Sequence, residues 1–222
     1  MSTTLREFTL PEARPLPVLL LLDASGSMAE HGKIQALNGA VADLLATLAR
    51  EESFRAAVHV GVLAFGRTVR AHLDFMPADR ALAAWRPLEA DGGTPMGTVF
   101  NECRALIENQ SIIPSRSYRP CLVLVSDGMP DKGWESPLAE LLASPRAAKA
   151  TRLAMGIGAD ADPAMLARFI ADPEIQVFQA SQAREITRFF RWVTMSVVAR
   201  TRSTTPNQIA LPPLDDDDQI HY

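Results

Sequence analysis

Three short segments of the sequence are rich in hydroxyl and carboxylate side chains and contain no histidine or cysteine. They are an Asp-x-Ser-x-Ser segment at 23–27, a Gly-Gly-Thr-Pro segment at 92–95 and a Ser-Asp-Gly segment at 126–128. Hard oxygen donors suit Mg²⁺ or Mn²⁺ in octahedral geometry and disfavour Zn²⁺ or Cu²⁺. Because neutral hydroxyls are weak ligands, the ion would stay electron-poor and recruit a further anionic oxygen. We therefore predict a metal site that binds a partner's carboxylate, with candidate ligands Asp23, Ser25, Ser27, Thr94 and Asp127.

The apolar pattern predicts strands that bring these segments to one edge of a sheet. Leu16–Leu22 and Arg119–Ser126 are typical of strands buried on both faces, and each is followed by one of the aspartate turns. Strands over 57–65 and 68–75, joined at Gly66-Arg67, form an antiparallel hairpin. In a doubly wound sheet the ligand site lies beyond the carboxyl ends of the strands, where the strand order reverses. We expect Asp23 and Asp127 to converge there.

The remaining pattern alternates helices with strands. This alternation predicts an α/β domain of three layers with a doubly wound (Rossmann-like), mostly parallel sheet and one antiparallel edge strand. We assign residues 16–202 to this domain, residues 1–15 to an N-terminal extension and residues 203–222 to a proline-containing acidic tail. The predicted helices cover 33–52, 77–85, 96–107, 137–149, 163–170 and 181–202, and two further strands cover 153–157 and 175–178.

Charge and composition exclude several classes of protein. The chain has 22 basic and 26 acidic residues, and the net charge of −4 equals the four consecutive acids Asp215–Asp218. A nearly neutral body lacks the basic surface of a nucleic-acid binder. The apolar runs are too short to span a bilayer, and the N-terminus lacks a secretory or transit pattern. Cys103 and Cys121 have no metal-binding or disulfide spacing. We expect a cytoplasmic protein without nucleic-acid or membrane partners.

The sequence Asp-Ala-Ser-Gly-Ser at 23–27, together with Thr94 and Asp127, resembles the metal-ion-dependent adhesion site (MIDAS) of von Willebrand factor type A (VWA) domains. The resemblance covers about residues 16 to 200 and implies the VWA fold. It also implies that Ser25, Ser27 and sometimes Thr94 ligate the ion directly, while Asp23 and Asp127 often act through water.

Within that family, two segments of this chain resemble the bacterial TerY-like branch, which is associated with tellurium resistance and stress. They are Leu-Leu-Leu-Asp-Ala-Ser-Gly-Ser-Met and Gly-Gly-Thr-Pro-Met-Gly. This resemblance implies a cytoplasmic adaptor in stress signalling, with kinase and phosphatase partners.

Each segment also has a purely structural interpretation. Asp and Ser after a strand commonly cap the next helix, and Asp127-Gly128 alone is typical of a turn. We predict that Met28, Met96 and Met129, which follow the ligand positions, pack under the site, the alternative being an apolar rim that contacts a partner. Gly26 and Gly93 are expected to let the loop backbones pass close to the ion. Trp85 and Trp134 are equally compatible with the core and with an exposed partner anchor.

Three functions remain open at this point. The first is a non-enzymatic binding module. The second is a Mg²⁺-dependent phosphohydrolase, although phosphoaspartyl enzymes usually carry a second carboxylate where this chain has Ser25, and no lysine lies in the matched loops. The third is a scaffold with a vestigial metal site. The acids Asp215–Asp218 add the hypothesis that the tail occupies the metal site of its own or a neighbouring molecule. Binding to a neighbouring molecule would cause self-association.

Overall fold

The computed structural model describes residues 13–51, 53–208 and 211. Within these residues the strand order is β3-β2-β1-β4-β5-β6, and β3 alone is antiparallel to its neighbour. This arrangement confirms the predicted doubly wound, mostly parallel sheet with one antiparallel edge strand. The strands are β1 (Arg14–Asp23), β2 (Ala56–Phe65), β3 (Val69–Pro77), β4 (Cys121–Ser126), β5 (Thr151–Ile157) and β6 (Phe178–Ala180).

Helices cover both faces of the sheet and produce the predicted three layers. The leucine run of β1 shows why: Leu20 and Leu22 pack against α1 and α6, while Leu19 and Leu21 face the cluster formed with α3, α4 and α5. Each such side chain is fully or almost fully buried, which stabilises the fold by about 1.5–3 kcal/mol per residue. The helices are α1 (Lys33–Ala49), α2 (Ala78–Ala84), α3 (Met96–Glu108), α4 (Glu135–Ala143), α5 (Pro163–Ile170) and α6 (Ala183–Arg202).

Strand β1 begins at Arg14, two residues earlier than predicted, and it includes Pro15 and Pro17. It pairs with β2 from Arg14 onward but with β4 only from Val18. The amide of Arg14 donates to Arg55 on the β2 side, so the alternating prolines face the side where no ladder partner is present. Their missing N–H groups therefore remove no sheet hydrogen bond.

One predicted helix and one predicted strand are displaced for local reasons, and α1 ends at Ala49 rather than at the predicted residue 52. The helix predicted over 137–149 starts earlier and ends at Ala143, because Pro145 forces Ser144 into an extended conformation. A short 3₁₀ turn at Ala147–Lys149 follows. The strand predicted over 175–178 lies instead at Phe178–Ala180, since the amide of Ile175 bonds to the Asp172 carbonyl in a turn after α5.

Residues 203–208 continue beyond α6 as turns that contact the domain. The Pro206 carbonyl accepts a hydrogen bond from Arg200, and the Asn207 side chain accepts one from the Arg119 amide. Residues 1–12 of the predicted N-terminal extension, Glu52 at the predicted end of α1, and Asp215–Asp218 lie outside the described residues. Among the helices that are described, none has the length and apolar character needed to cross a membrane.

Candidate metal centre

The carboxyl ends of β1 and β4 lie side by side, and they bring the first and last predicted segments together. Leu22 pairs with Val125 in the parallel ladder, so Asp23, the last residue of β1, lies beside Asp127, which directly follows β4. Both carboxylates are completely buried. Asp127 Oδ1 accepts hydrogen bonds from Ser27 Oγ at 2.7 Å and from Ser25 Oγ at 3.3 Å, and the two hydroxyls are 3.1 Å apart. Three of the predicted ligand side chains thus form one compact group of oxygen atoms.

Asp23 lies beneath this group and is fixed through both of its oxygens. Oδ1 accepts from the Ser25 amide at 2.8 Å, and Oδ2 accepts from Ser126 Oγ at 2.6 Å. Burial raises the pKa of Asp23 to about 6, although the hydrogen bonds from Ser126 and Ser25 act in the opposite direction. Ser126 was not among the predicted site residues. Its signal was its place at the end of β4, directly before Asp127.

A network of backbone hydrogen bonds ties the loop before Thr94 to the end of β1. The amide of Asp91 donates to the Ala24 carbonyl at 2.7 Å, and the amide of Gly26 donates to the Gly92 carbonyl at 2.9 Å. The Asp91 carbonyl in turn accepts from the Arg67 amide in the β2–β3 turn. Three loops that are distant in sequence are therefore held in a fixed relation.

This network places Thr94 at the site. Thr94 is buried, and its carbonyl accepts a hydrogen bond from the Asp131 amide at 3.1 Å. A Cβ added to Gly128 would lie only 3.4 Å from Thr94 Oγ1, which places the hydroxyl against the segment that follows Asp127. The structure brings all five predicted residues together at the carboxyl ends of β1 and β4.

The glycines that permit this close loop packing differ from those expected. A Cβ at Gly93 would meet open space, and one at Gly26 would make ordinary contact. At Gly92, where φ is +84°, a Cβ would lie 2.2 Å from the Arg67 amide nitrogen. At Gly66 it would lie 2.3 Å from the Asp91 carbonyl oxygen. Gly66 and Gly92 are therefore the positions where the packing of the loops requires glycine, and the expectation that Gly26 and Gly93 let the backbone pass close to the ion stays a prediction.

Lys33, the first residue of α1, is a site residue that the sequence reasoning missed. Its Nζ lies 2.7 Å from Asp127 Oδ2 and 3.5 Å from the Ser27 carbonyl oxygen, with 17% of the side chain exposed. The ammonium group neutralises a fully buried carboxylate. The nine residues between Asp23 and Lys33 include a kinked 3₁₀ segment, Gly26–Gly32, with His31 at φ +53°. Simple periodicity does not reveal where such a segment directs the next helix.

The oxygen group has the spacing that a small divalent ion requires. Two ligands at right angles, each about 2.1 Å from Mg²⁺, lie about 3.0 Å apart. The three distances among Ser25 Oγ, Ser27 Oγ and Asp127 Oδ1 are 2.7, 3.1 and 3.3 Å. Within the described part of the chain there is no group of three or more His, Cys, Asp or Glu that could hold a metal. The donor set therefore depends on hydroxyls, and both its chemistry and its spacing fit the predicted ion.

The aromatic and methionine side chains near the site have two different environments. Met28 and Met96 are fully buried, as predicted. The same prediction is wrong for Met129, which is 65% exposed two residues after Asp127. Trp134 is buried under the Arg168 guanidinium, and Trp85 is buried as well, so both tryptophans belong to the core. Met129 therefore supplies an apolar surface beside the oxygen group.

An open α/β sheet with a hydroxyl and carboxylate site at its switch point defines a recognisable class of Rossmann-like binding domain. The family model of the von Willebrand factor type A domain matches residues 18–129, half of the chain. The chain therefore belongs to the von Willebrand factor type A domain family.

Comparison with other proteins agrees with this fold. An uncharacterized protein of Mycobacterium tuberculosis, Rv2850c, is 32% identical over 119 residues, which are 52% of this chain but only 18% of that protein. The solved von Willebrand factor type A protein from Catenulispora acidiphila is 21% identical with a TM-score of 0.66, covering 83% of this chain and 42% of that one. Proximal thread matrix protein 1 of the mussel byssus, solved with a zinc-occupied MIDAS motif, is 17% identical with a TM-score of 0.63, covering 85% and 48%.

Proposed function

We propose that this protein is a non-enzymatic adaptor that binds an Asp or Glu side chain of a partner protein through a divalent ion. The observation that carries the proposal is the group formed by Ser25 Oγ, Ser27 Oγ and Asp127 Oδ1, whose spacing suits octahedral coordination. Thr94 would complete the set, and Asp23, whose two oxygens accept hydrogen bonds from the Ser25 amide and the Ser126 hydroxyl, would act on the ion through water. A bound ion would supply an open coordination position for an external carboxylate.

Mg²⁺ or Mn²⁺ is the proposed ion, because the donors are all oxygen atoms. Zinc occupies the MIDAS motif of the mussel protein, so Zn²⁺ belongs in any titration of this chain. Lys33 Nζ contacts Asp127 Oδ2, whereas the group of three oxygen atoms contains Oδ1. The ammonium group would therefore repel an ion bound at Oδ1 and lower the affinity for it.

The environment of Asp23 supports a binding function over phosphohydrolysis. A phosphoaspartyl nucleophile needs a carboxylate oxygen that can reach the substrate. Asp23 is completely buried, and its two oxygens accept hydrogen bonds from the Ser25 amide and the Ser126 hydroxyl. Lys33 supplies a cation near the site, but it pairs with Asp127. The complete donor set likewise supports a working site rather than a vestigial one.

The partner we propose is a cytoplasmic protein that presents an acidic residue next to an apolar surface. Met129 would contact that surface beside the ion. The loop sequences at 23–28 and 92–97 support placing the protein in the TerY-like branch, with a kinase or phosphatase of the same stress system as partner. Asp215–Asp218 of a second molecule are another source of carboxylates, and their binding would cause metal-dependent self-association.

Substitution of Ser27 tests the proposal. Ser27→Ala removes one donor from an exposed position, so the affinity for Mg²⁺ and Mn²⁺ should fall at least about tenfold while the fold is retained. Isothermal titration with Mg²⁺, Mn²⁺ and Zn²⁺ measures the affinity, and circular dichroism checks the fold. The control is Ser115→Ala, an exposed serine in the loop before β4.

Unchanged metal titration in Ser27→Ala would contradict the proposed site. Affinity capture of partners with and without chelator then tests the adaptor function itself. Partners retained equally well with chelator would contradict a metal-bridged contact. Turnover of a phosphate ester that disappears in Asp23→Asn would favour the phosphohydrolase instead.

A further inference from the structure

A polar cavity lies at the opposite end of the sheet from the candidate metal centre, where β4 and β5 begin. It has a volume of about 410 Å³ and is lined by Arg119, Lys149 and Arg152. A smaller cavity of about 50 Å³ shares Arg119 and Lys149 with it and adds Arg200. We call these two cavities together the basic pocket.

The positive charge of the basic pocket is only partly balanced by the residues around it. Asp172 and Glu174 line the larger cavity, and Asp172 stabilises the charge of Arg152. Within the described ranges, no carboxylate forms an ion pair with Arg119, Lys149 or Arg200. The basic pocket therefore has room for further negative charge.

Arg200 is a buried cation whose hydrogen-bonding groups are only partly satisfied. It is 6% exposed, and its Nε and Nη2 donate to the carbonyls of Pro206 and Arg119. Its Nη1 is buried and has no hydrogen-bond partner. Carbonyl oxygens orient a guanidinium group without neutralising it, and a buried unpaired donor is costly. A carboxylate near this position would remove both penalties.

The path of the chain brings an anion to this pocket. Leu211 lines both cavities, and the sequence continues Pro212-Pro213-Leu214 into Asp215–Asp218. An extended chain covers at most about 3.5 Å per residue, so Asp215 lies within about 14 Å of Leu211. The metal centre of the same molecule is farther away, since the six-residue strand β4 separates it from the pocket by about 20 Å.

We propose that the basic pocket binds the acidic segment Asp215–Asp218 of the same molecule. Its carboxylates pair with Arg119 and Lys149 at the rim and with Arg200 below them. The acidic segment is then held at the amino end of the sheet, and the metal centre at the carboxyl end stays open for a partner. This placement is the alternative to binding of the segment to a neighbouring molecule's metal, and it does not depend on a metal being bound.

Carbodiimide cross-linking of the full chain separates these placements, because it joins a carboxylate to a lysine amine in contact with it. The lysines of the chain are Lys33 and Lys132, near the metal centre, and Lys149 in the basic pocket. We expect peptides containing 215–218 to be joined to Lys149 within monomers, at a yield that does not change with protein concentration. Peptide mass spectrometry measures the products.

Charge reversal provides the matched variants. Arg119→Glu should lower the yield of the Lys149 product about fivefold or more, because it replaces an attractive charge at the pocket by a repulsive one. Arg80→Glu, the same change on α2 away from the pocket, should leave the yield unchanged. Raising the salt to 1 M, where the screening length is about 3 Å, should also lower it.

Three results would overturn the proposal. They are joining of 215–218 to Lys33 or Lys132, joining found only in dimers, and a Lys149 yield that Arg119→Glu leaves intact. Absence of any product with Lys149 in the unmodified chain, in low salt, would also overturn it, because the proposed contact places carboxylates against that exposed amine.

Discussion

Asp23 is a buried carboxylate whose negative charge the surrounding protein disfavours. Burial is the largest influence and raises its pKa from an ordinary value near 3.8 to about 6. The hydrogen bonds from Ser126 and Ser25 replace part of the lost hydration and lower the pKa. The nearby negative charge of Asp127 raises the pKa, as burial does. A divalent ion at Ser25, Ser27 and Asp127 would favour the ionised form. The residue thus links proton binding to metal binding.

This linkage predicts a pH dependence with a definite sign. Between about pH 4 and pH 6 the folded, metal-free protein holds a proton on Asp23 that the unfolded chain has already lost. Stability contributed by this group therefore falls as pH rises through that range, by an amount on the order of 3 kcal/mol. Urea unfolding in chelator should show this fall relative to Asp23→Asn, which has no proton to lose.

Metal binding should change in the opposite direction. Because an ion competes with the proton on Asp23, the affinity for Mg²⁺ should rise as pH increases through about 6.

The stability measurement has its own contradicting outcome. An unfolding free energy with the same pH profile in wild type and Asp23→Asn would show that Asp23 titrates normally in the folded protein.

At the scale of the elements, the site depends on how three loops pack at the carboxyl ends of β1, β2 and β4. The Gly92 backbone lies so close to the β2–β3 turn that no side chain fits at this position. The same residue accepts the hydrogen bond from the Gly26 amide. The position of Thr94 therefore depends on a glycine two residues earlier in the chain.

Adjacent glycines offer a matched test of this packing. Gly92→Ala places a Cβ 2.2 Å from the Arg67 amide nitrogen at a φ of +84°, and it should destabilise the protein by about 2–4 kcal/mol and weaken metal binding. Gly93→Ala meets open space and should change stability by less than about 1 kcal/mol. Urea unfolding and metal titration of both variants measure the difference. Equal effects of the two substitutions would contradict the packing described.

Much of this arrangement follows from local sequence. The apolar runs that end at Asp23 and Asp127 predict two central strands, and a doubly wound sheet then brings the two carboxylates together. The position of Lys33 could not be predicted this way, since it depends on the kinked 3₁₀ segment before α1. The location of β6 depends on a turn after α5 rather than on apolar content. The roles of Gly92 and Gly66 arise only from contacts between loops.

At the scale of the whole molecule, the candidate metal centre joins parts of the chain that are far apart in sequence. Its predicted ligands extend from Asp23 to Asp127, and the two aspartates lie at the ends of the two central strands. Unfolding of the domain must therefore destroy the site, and an ion bound only by the native state stabilises the entire domain.

Thermal unfolding should show this coupling. At a metal concentration 100 times the Kd, the stabilisation is about 2.7 kcal/mol. For a domain of this size it corresponds to a rise in Tm of about 5–10 °C. Differential scanning calorimetry with Mg²⁺ and with chelator measures the shift, and Ser27→Ala, with an affinity about tenfold lower, should reduce it by about half at the same metal concentration. A shift of the same size in Ser27→Ala would place the stabilising ion elsewhere.

The ion pair between Lys33 and Asp127 has a consequence for how tightly the proposed ion would be held. An ion at Asp127 Oδ1 would share that carboxylate with the ammonium group at Oδ2. Repulsion between the two cations would make the ion bind more weakly than it would at an unpaired carboxylate. Attachment of a partner through such an ion would therefore be readily reversible.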